Sequence, residues 1–218
     1  MKTQSFRIIS LIAIILLIGI IATSAQELKP INLPAPQKNG GRPLMQVLND
    51  RRSSREFSSE KFPLQILSNL LWAAWGINRE DSGKHTAPSA SNMQEIDVYA
   101  VMAEGLYLYD AKTHTLQPVT AEDIRAQTGR QDFVKDAPVN LIFVADYARM
   151  GNRTPENMAY VSAVDTGFIS QNVYLFCASE GLATVVRGMV DKPALKKAMK
   201  LRPDQNITFA QSVGYPKR

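Results

Sequence analysis

The sequence Arg51–Phe57, which reads Arg-Arg-Ser-Ser-Arg-Glu-Phe, holds the densest group of side chains that could bind a ligand. Three arginines and two serines fall within five residues. A guanidinium group donates paired hydrogen bonds that match phosphate oxygens, and serine hydroxyls add neutral donors beside them. These residue types predict a phosphate site. The alternative is an ordinary solvated basic surface, because such clusters are common.

Other chemistries have little support in the sequence. The only histidines are His85 and His114, and neither belongs to a cluster of carboxylates or thiols at metal-ligand spacing. There is no Gly-x-Ser-x-Gly turn and no glycine-rich nucleotide-binding loop. We therefore expect no bound metal, and we expect an organic cofactor to supply any chemistry.

The N-terminus has the pattern of a secretory signal peptide. Lys2 and Arg7 form a basic start, residues 8–22 are almost wholly apolar, and Thr23-Ser24-Ala25 offers small residues for cleavage. We expect residues 1–25 to direct export to the periplasm or the medium. A retained N-terminal membrane anchor is the alternative, although the apolar run is short for a span.

Cleavage would leave 218 − 25 = 193 residues with a net charge of +5 − 2 = +3. That length suits one domain, and the mild charge does not favour nucleic acid as a partner. Residues 26–42 are rich in proline and glycine and predict an extended arm or linker, so the domain spans residues 43–218. Cys177 is the only cysteine, so no internal disulfide can form, and its apolar neighbours predict a small core residue.

Two helices are predicted on either side of the basic cluster. A short helix runs from Pro43 to the cluster, and a longer one follows Pro63. Their apolar residues recur at spacings of three and four, as on one face of a helix. These positions are Leu44, Val47 and Leu48 in the first helix and Leu67, Leu70, Leu71 and Ala74 in the second.

Segments rich in β-branched and aromatic residues predict the strands. Asp97–Ala103 and Leu106–Tyr109 are expected to form a β-hairpin. The continuous apolar run Asn140–Asp146 predicts a central strand. Ala183–Val186 and Ile207–Val213 predict two further extended segments. The remaining predictions are a loop over residues 79–92 and helices over residues 121–128 and 195–199.

A long helix is predicted from Asp165, as its N-cap, to Gly181, as its C-terminal cap. The helix is apolar almost all round, which indicates burial on most sides. In a domain of this size that favours burial against another subunit. The segment before it, residues 147–164, is expected to be short and polar, with Met158 and Tyr160 as walls of a substrate pocket.

Taken in order, several segments resemble the nitroreductase family of flavoenzymes. Arg51–Phe57 is similar to the family's N-terminal phosphate motif, and Pro88–Gln94 (Pro-Ser-Ala-Ser-Asn-Met-Gln) to its Pro-Ser-x-x-Asn-x-Gln loop. The family's long central helix is matched by three segments of this chain, which resemble it: Asp165-Thr166-Gly167, Gln171-Asn172 and Glu180-Gly181-Leu182. Val213–Pro216 resembles the ending of many members. The hairpin at Val98–Tyr109 is similar to the SagB-type branch of the same family.

The resemblance implies an α+β, three-layer fold with a mostly antiparallel sheet flanked by helices, and a homodimer with FMN at the subunit interface. Arg51, Arg52 and Ser53 would hold the phosphate and ribityl end, and Arg55 would reach the N1/O2 edge of the ring. Residues from the partner subunit would cover the ring. By position these are Pro88, Ser89 and Asn92.

Further FMN contacts are implied near the C-terminus. Val186, Arg187 and Gly188 would lie along the isoalloxazine with a backbone N–H directed at N5, although the family often has an acidic residue where Arg187 stands. Lys217 and Arg218 would close the phosphate site, and Gln131 would lie near the pyrimidine edge.

The activity that the resemblance implies is an exported FMN-dependent oxidoreductase working by a ping-pong cycle. A donor such as NAD(P)H would reduce the flavin, which would then reduce a small conjugated acceptor such as a nitroaromatic or a quinone. Nicotinamide nucleotides are scarce outside the cytoplasm, so another donor stays open. Two alternatives are a SagB-type dehydrogenase that oxidises azoline rings in a modified peptide, and a non-catalytic FMN-binding or storage protein.

Overall fold

A computed structural model gives the fold and describes residues 28–217. The predicted signal peptide, residues 1–25, and the predicted site residue Arg218 lie outside the described residues. Within the described range, seven strands form one sheet in which every neighbouring pair is antiparallel. Their order is β1 (Ile31–Asn32), β6 (Thr115–Thr120), β5 (Gly105–Asp110), β4 (Ile96–Met102), β7 (Val139–Asp146), β9 (Gln205–Gly214) and β8 (Ala183–Arg187). A separate short pair contains β2 (Ile77–Arg79) and β3 (Lys84–His85).

Helices cover both faces of this sheet. The four α-helices of the described part are α1 (Leu44–Asp50), α2 (Leu64–Trp75), α3 (Pro155–Glu180) and α4 (Lys192–Ala198). One face packs against α2 and α3, and the other packs against α4 and the segments beside it. The predicted three-layer α+β architecture with an antiparallel sheet is confirmed. No helix among residues 28–217 combines the length and apolar character needed to span a bilayer.

The strand β7 shows why the sheet needs cover on both sides. All of its residues are buried. Leu141 and Phe143 face the α2/α3 layer, while Ile142 and Val144 face the α4 layer. Successive side chains of a strand point to opposite faces, so a continuous apolar run must be buried on both. The prediction of a central strand at Asn140–Asp146 is confirmed.

The start of the long helix differs from its prediction. Helix α3 begins at Pro155, and the Thr154 hydroxyl accepts the Asn157 N–H as the N-cap. Asp165 is therefore not a cap; it is buried within the helix and accepts a hydrogen bond from the distant Ala90 N–H. Residues 155–164 of the segment expected ahead of the helix instead form its first part. Tyr160 lies there and is 70% exposed.

The end of α3 agrees with its prediction. Gly181 adopts the left-handed conformation with φ of 71° and follows the helix as its C-terminal cap. Leu182 N–H donates back to the Cys177 carbonyl, which closes the last turn. The chain then reverses directly into β8. Cys177 itself is buried in the core, as predicted.

Two other predictions need correction, and a third is confirmed and extended. The predicted helix at residues 121–128 contains only a 3-10 turn, Arg125–Gln127, since Ile124 is the one large apolar side chain available to bury. The predicted loop at residues 79–92 includes part of the β2–β3 pair. The predicted hairpin is present as β4 and β5, and it continues into a third strand, β6. This strand was not predicted from the sequence, because Pro118 lies within it. The pairing of β6 with β1 involves only Leu116 and Thr115, so Pro118 need not donate to β1.

Candidate functional site

The basic cluster lies in an extended segment between the edge strand β8 and the C-terminal tail. Helix α1 ends at Asp50, and Arg51 leaves the helical conformation. Ser54 N–H then donates to the Thr184 carbonyl of β8 at 2.9 Å, and Ser58 N–H donates to the Tyr215 carbonyl at 2.9 Å. The segment thus occupies the free edge that β8 would otherwise present to solvent.

Tyr174 of α3 connects this segment to β8. Its hydroxyl lies 2.7 Å from Ser53 Oγ and accepts the Val186 N–H at 3.0 Å. The Arg51 guanidinium carbon lies 5.2 Å from the centre of the Tyr174 ring, within the range of a cation–π contact. One side chain therefore fixes the positions of the basic cluster and of the β8 edge relative to each other.

A cleft of about 540 Å³ opens beside this junction. Arg51, Arg52 and Ser54 line it from one side, and Tyr174 and Thr184 line it from the other. Within residues 28–217, Arg51 and Arg52 form no ion pair with a carboxylate. Arg42 also lines the cleft, but it pairs with Asp50. Asp50 also lines the cleft, but with Arg42 as its ion-pair partner the lining keeps the net positive charge of Arg51 and Arg52, which suits an anion.

Two predicted site residues lie next to this cleft. Arg55 is exposed and lies outside the cleft lining. Lys217 N–H donates to the Glu56 carbonyl at 3.3 Å, and Lys217 lines an adjoining cleft of about 830 Å³ that shares Gly181 and Pro216 with the first. The C-terminal tail thus runs beside the basic segment, as its predicted role requires.

The outer edge of β8 offers backbone groups to this region. The Thr184 carbonyl and the Val186 N–H both face away from β9, because they bond Ser54 and Tyr174. Backbone groups of alternate residues point to the same side of a strand, so Gly188 continues this outward row. Gly188 is exposed, and its N–H donates to no side chain among the described residues.

The side chain of Arg187 points to the other side. Its guanidinium donates to the Thr128 carbonyl at 2.7 Å and to Asn140 Oδ1 at 2.9 Å. Only 4% of the residue is exposed, and burial lowers the pKa of the guanidinium to about 10. A Cβ on Gly129 would lie 2.0 Å from Arg187 Nη1, so the 128–131 turn closes over this side chain. The structure therefore keeps the Arg187 side chain away from the cleft.

The same turn carries Gln131. Arg130 N–H donates to the Met189 carbonyl at 3.3 Å, which places the turn against the residues that follow β8. The Gln131 Oε1 atom is buried without a hydrogen-bond partner among the described residues. Gln131 thus lies near the residues that follow β8, and the adjoining Phe133 packs against Phe57 at the end of the basic segment, with ring centres 5.7 Å apart.

The loop that contains Pro88, Ser89 and Asn92 lies elsewhere in the same chain. Ala90 N–H reaches α3 at Asp165, which is 174 − 165 = 9 residues before Tyr174. At the rise of an α-helix, this separation is about 13 Å. The loop lines a separate cleft of about 320 Å³. One protomer therefore does not bring this loop to its own basic cluster.

The sequence reasoning missed Tyr174 and Thr184. Tyr174 carries the one hydroxyl in the apolar stretch Val173–Cys177, and a buried tyrosine hydroxyl usually finds a partner. The tyrosine hydroxyl could therefore be noticed in the sequence, but its partners Val186 and Ser53 lie 12 and 121 residues away along the chain. Only the fold could identify them.

Comparison with known proteins agrees with this geometry. The model of the nitroreductase family matches residues 48–215. A "putative nitroreductase" of Methanocaldococcus jannaschii is 30% identical over 169 residues, which cover 73% of this chain and 85% of that protein. A crystal structure from Ralstonia eutropha with the same description is 42% identical, with a TM-score of 0.84, and the match covers 88% of this chain and 92% of that one.

A more distant structure shares the fold alone. It is the NADPH:FMN oxidoreductase of Vibrio harveyi in complex with NAD+, which is 21% identical, with a TM-score of 0.60 over 80% of this chain and 69% of that one. The family match covers most of the chain, including the basic cluster, Tyr174 and the β8 edge. The protein is therefore an oxidoreductase of the nitroreductase family.

Proposed function

We propose that the protein binds FMN and transfers electrons between a reduced donor, such as NAD(P)H, and a small conjugated acceptor, such as a nitroaromatic or a quinone. The observation that carries the proposal is the cleft of about 540 Å³, lined by Arg51 and Arg52 without carboxylate partners and fixed to the β8 edge by Tyr174. The Vibrio harveyi enzyme that shares the fold is an NADPH:FMN oxidoreductase, which supports FMN as the cofactor.

The donor groups of the cleft fit the phosphate end of FMN. Two guanidinium groups and the Ser54 hydroxyl present charged and neutral donors from one segment. The extended backbone between α1 and Phe57 is held by β8 and by the tail, so the backbone that carries these donors is fixed before any ligand binds. Binding an anion there requires little ordering of the backbone.

The outward edge of β8 fits the ring of the cofactor. The Val186 N–H is already engaged by Tyr174, so the proposed donor to the ring is the next outward N–H, that of Gly188. The protein's part in the reaction would be to hold the ring with backbone donors and to exclude water. The bound flavin would supply the hydride chemistry, and no histidine or carboxylate of the chain is needed as an acid or base.

A homodimer would complete the site. In one protomer, the 88–92 loop lies about 13 Å along α3 from the junction at Tyr174. The partner's copy of this loop is therefore the proposed cover of the ring. Exposed apolar side chains on α3, namely Tyr160, Val164 and Phe168, provide a surface for the association. Their spacing of four residues places them on one face of the helix.

Export remains part of the proposal on the strength of residues 1–25. Outside the cytoplasm, a membrane-linked or other reduced donor would replace NAD(P)H. FMN would be loaded before or after export.

The test is the absorbance spectrum of the purified protein lacking residues 1–25. We expect a yellow protein with about one FMN per subunit, as one site per chain requires. Colourless protein that also fails to bind added FMN would overturn the proposal.

Turnover separates the alternatives. Reduction of a quinone or nitroaromatic by the FMN-loaded protein, with NADPH or dithionite as donor, supports the proposed enzyme. FMN binding without any turnover favours storage. Oxidation of an azoline-containing peptide, without quinone or nitroaromatic reduction, favours the SagB-type activity.

A further inference from the structure

Two buried carboxyl groups lie beneath the loop Ser89–Gln94, here called the 89–94 loop. Glu95 directly follows this loop and is completely buried. Asp165, on α3, is 2% exposed. Consecutive loop residues, Ser89 and Ala90, donate to Glu95 and Asp165 respectively, which brings the two carboxyl groups close together. Neither forms an ion pair with any described residue. Two adjacent carboxylates without a cation repel each other, and burial strengthens this repulsion.

Hydrogen bonds connect the loop to both carboxyl groups. Ala90 N–H donates to Asp165 Oδ2 at 2.8 Å. Gln94 N–H donates to Ser89 Oγ at 2.8 Å, and this hydroxyl in turn donates to Glu95 Oε2 at 3.2 Å. The remaining oxygen, Glu95 Oε1, is buried and has no donor among the described residues. A proton between Glu95 and Asp165 would supply the missing donor.

The backbone of the loop needs such anchoring. Ser91, Asn92 and Gln94 have φ values of 52°, 55° and 49°. These are left-handed conformations that residues other than glycine avoid, and they persist only where surrounding contacts enforce them. The contacts to Ser89 and Ala90 are among those that do so.

We propose that Glu95 and Asp165 share one proton and are positioning residues that hold the 89–94 loop in its left-handed shape. The link to FMN rests on the proposed function, in which residues 88–92, which include the start of this loop, cover the flavin ring of the partner subunit. The shared proton does not depend on it. Loss of the shared proton would place two negative charges beneath the loop and release it. The pKa of Glu95 is raised, first by burial and then by the charge of Asp165, which agrees with a retained proton.

Four other charged or titratable groups lie near the loop, and among the described residues none forms an ion pair with Glu95 or Asp165. Arg79 and Lys84 line the same cleft as the loop, and Arg79 donates to the His85 carbonyl at 2.7 Å. Arg149 donates to the Gln94 carbonyl at 2.8 Å and pairs with Asp97 and Asp146. His85, on β3 beside Gln94, bonds the Trp75 carbonyl at 2.7 Å, and burial lowers the pKa of its imidazole. None of the four supplies a cation to Glu95.

The sign of the pH dependence follows from the raised pKa. The folded protein keeps a proton on Glu95 that the unfolded chain loses near the ordinary carboxyl pKa of about 4.3. The loop's stability is therefore complete at low pH and falls as pH rises through the raised pKa.

The test is hydrogen exchange of the Ala90 and Gln94 amides in the full chain without FMN, from about pH 5 to about pH 9, corrected for intrinsic rates. For the unmodified protein we expect protection to fall by about tenfold for each pH unit between the ordinary carboxyl pKa and the raised pKa, and to level off above it. Glu95→Gln carries a permanent donor in place of the proton, so its protection should stay constant with pH. Glu95→Ala should lose protection at every pH. Glu122→Gln, at an exposed site, should behave like the unmodified protein.

Protection of the unmodified protein that does not change with pH, or a Glu95→Gln variant that titrates like it, would overturn the proposal. If Glu95→Gln fails to fold, Asp165→Asn removes the neighbouring negative charge and offers Glu95 an amide donor, so protection should fall less with pH and level off at a lower pH. An unchanged pH profile in that variant would also overturn the proposal. Because the exchange is measured without FMN, failure to bind FMN would count only against the proposed function. Normal FMN binding with exchange that is independent of pH would count only against the proton-sharing pair.

Discussion

Arg51 and Arg52 are the side chains on which the proposed anion-binding role of the cleft depends. Neither has a carboxylate partner among residues 28–217, so their charge is available to a ligand. We expect Arg51→Ala to weaken FMN binding by about 10- to 100-fold, since a charge-assisted hydrogen bond contributes about 1.5–3 kcal/mol. Fluorescence titration with FMN measures this change.

Two control variants separate charge from geometry at this position. Lys112→Ala removes one positive charge from an exposed turn and should leave FMN affinity unchanged. Arg51→Lys keeps the charge but loses the planar fork, so its affinity should fall between those of the unmodified protein and Arg51→Ala. Equal affinities in all four proteins would show that the phosphate is bound elsewhere.

The hydroxyl of Tyr174 is predicted to stabilise the site before a ligand binds. Tyr174→Phe removes the hydrogen bonds to Ser53 and Val186 while the ring stays in the core. We expect a loss of about 1–3 kcal/mol in the free energy of unfolding, measured by urea denaturation, with a parallel loss of FMN affinity. Tyr107→Phe is the control, because the Tyr107 ring is buried but its hydroxyl bonds no described residue. An equal effect of both variants would contradict the role of Tyr174.

At the level of elements, the turn between α3 and β8 determines how the chain enters the site. Gly181 has φ of 71°, and a Cβ added there would meet no atom within 4 Å. Gly181→Ala should therefore destabilise the fold by about 1–2 kcal/mol, through backbone strain alone. Gly167 is the matched control: it lies within α3 and also has open space around its Cβ position, but its φ is not positive. Gly167→Ala should stabilise the protein by about 0.5–1 kcal/mol. Denaturation midpoints that change in the same direction in both variants would contradict this interpretation.

The elements also show where the sequence was informative. Apolar periodicity predicted α2 and a continuous apolar run predicted β7, because burial determines these patterns directly. Gly181, as a C-terminal cap, predicted the end of α3. The start of α3 was mispredicted because Asp165 resembles a cap, whereas its carboxyl serves a loop 75 residues away. The pair Thr154-Pro155 did carry a local start signal, a hydroxyl N-cap followed by proline at the first helical position.

The site divides in the same way between local and distant information. The basic cluster could be recognised from residue types within one short segment. Its junction with β8 could not, since it depends on Tyr174, which lies 121 residues from Ser53. The burial of the Arg187 side chain could not be predicted either, because Thr128 and Asn140 approach it only through sheet packing.

At the scale of the whole molecule, the structure makes the proposed dimer testable. The exposed stripe on α3 consists of Tyr160, Val164 and Phe168, with Phe168 44% exposed. An unpaired charge buried in an apolar interface costs several kcal/mol. Phe168→Glu should therefore raise the dimer dissociation constant by more than about 100-fold, as measured by analytical ultracentrifugation.

The control for this substitution is Leu64→Glu. Leu64 is 49% exposed on α2, away from the stripe, so it introduces the same charge at a comparable exposed position. It should leave the dimer intact. If the partner's 88–92 loop covers the ring, Phe168→Glu should also weaken FMN binding although Arg51, Tyr174 and the β8 edge are unchanged. A monomeric Phe168→Glu variant that binds FMN normally would show that each subunit builds its site alone.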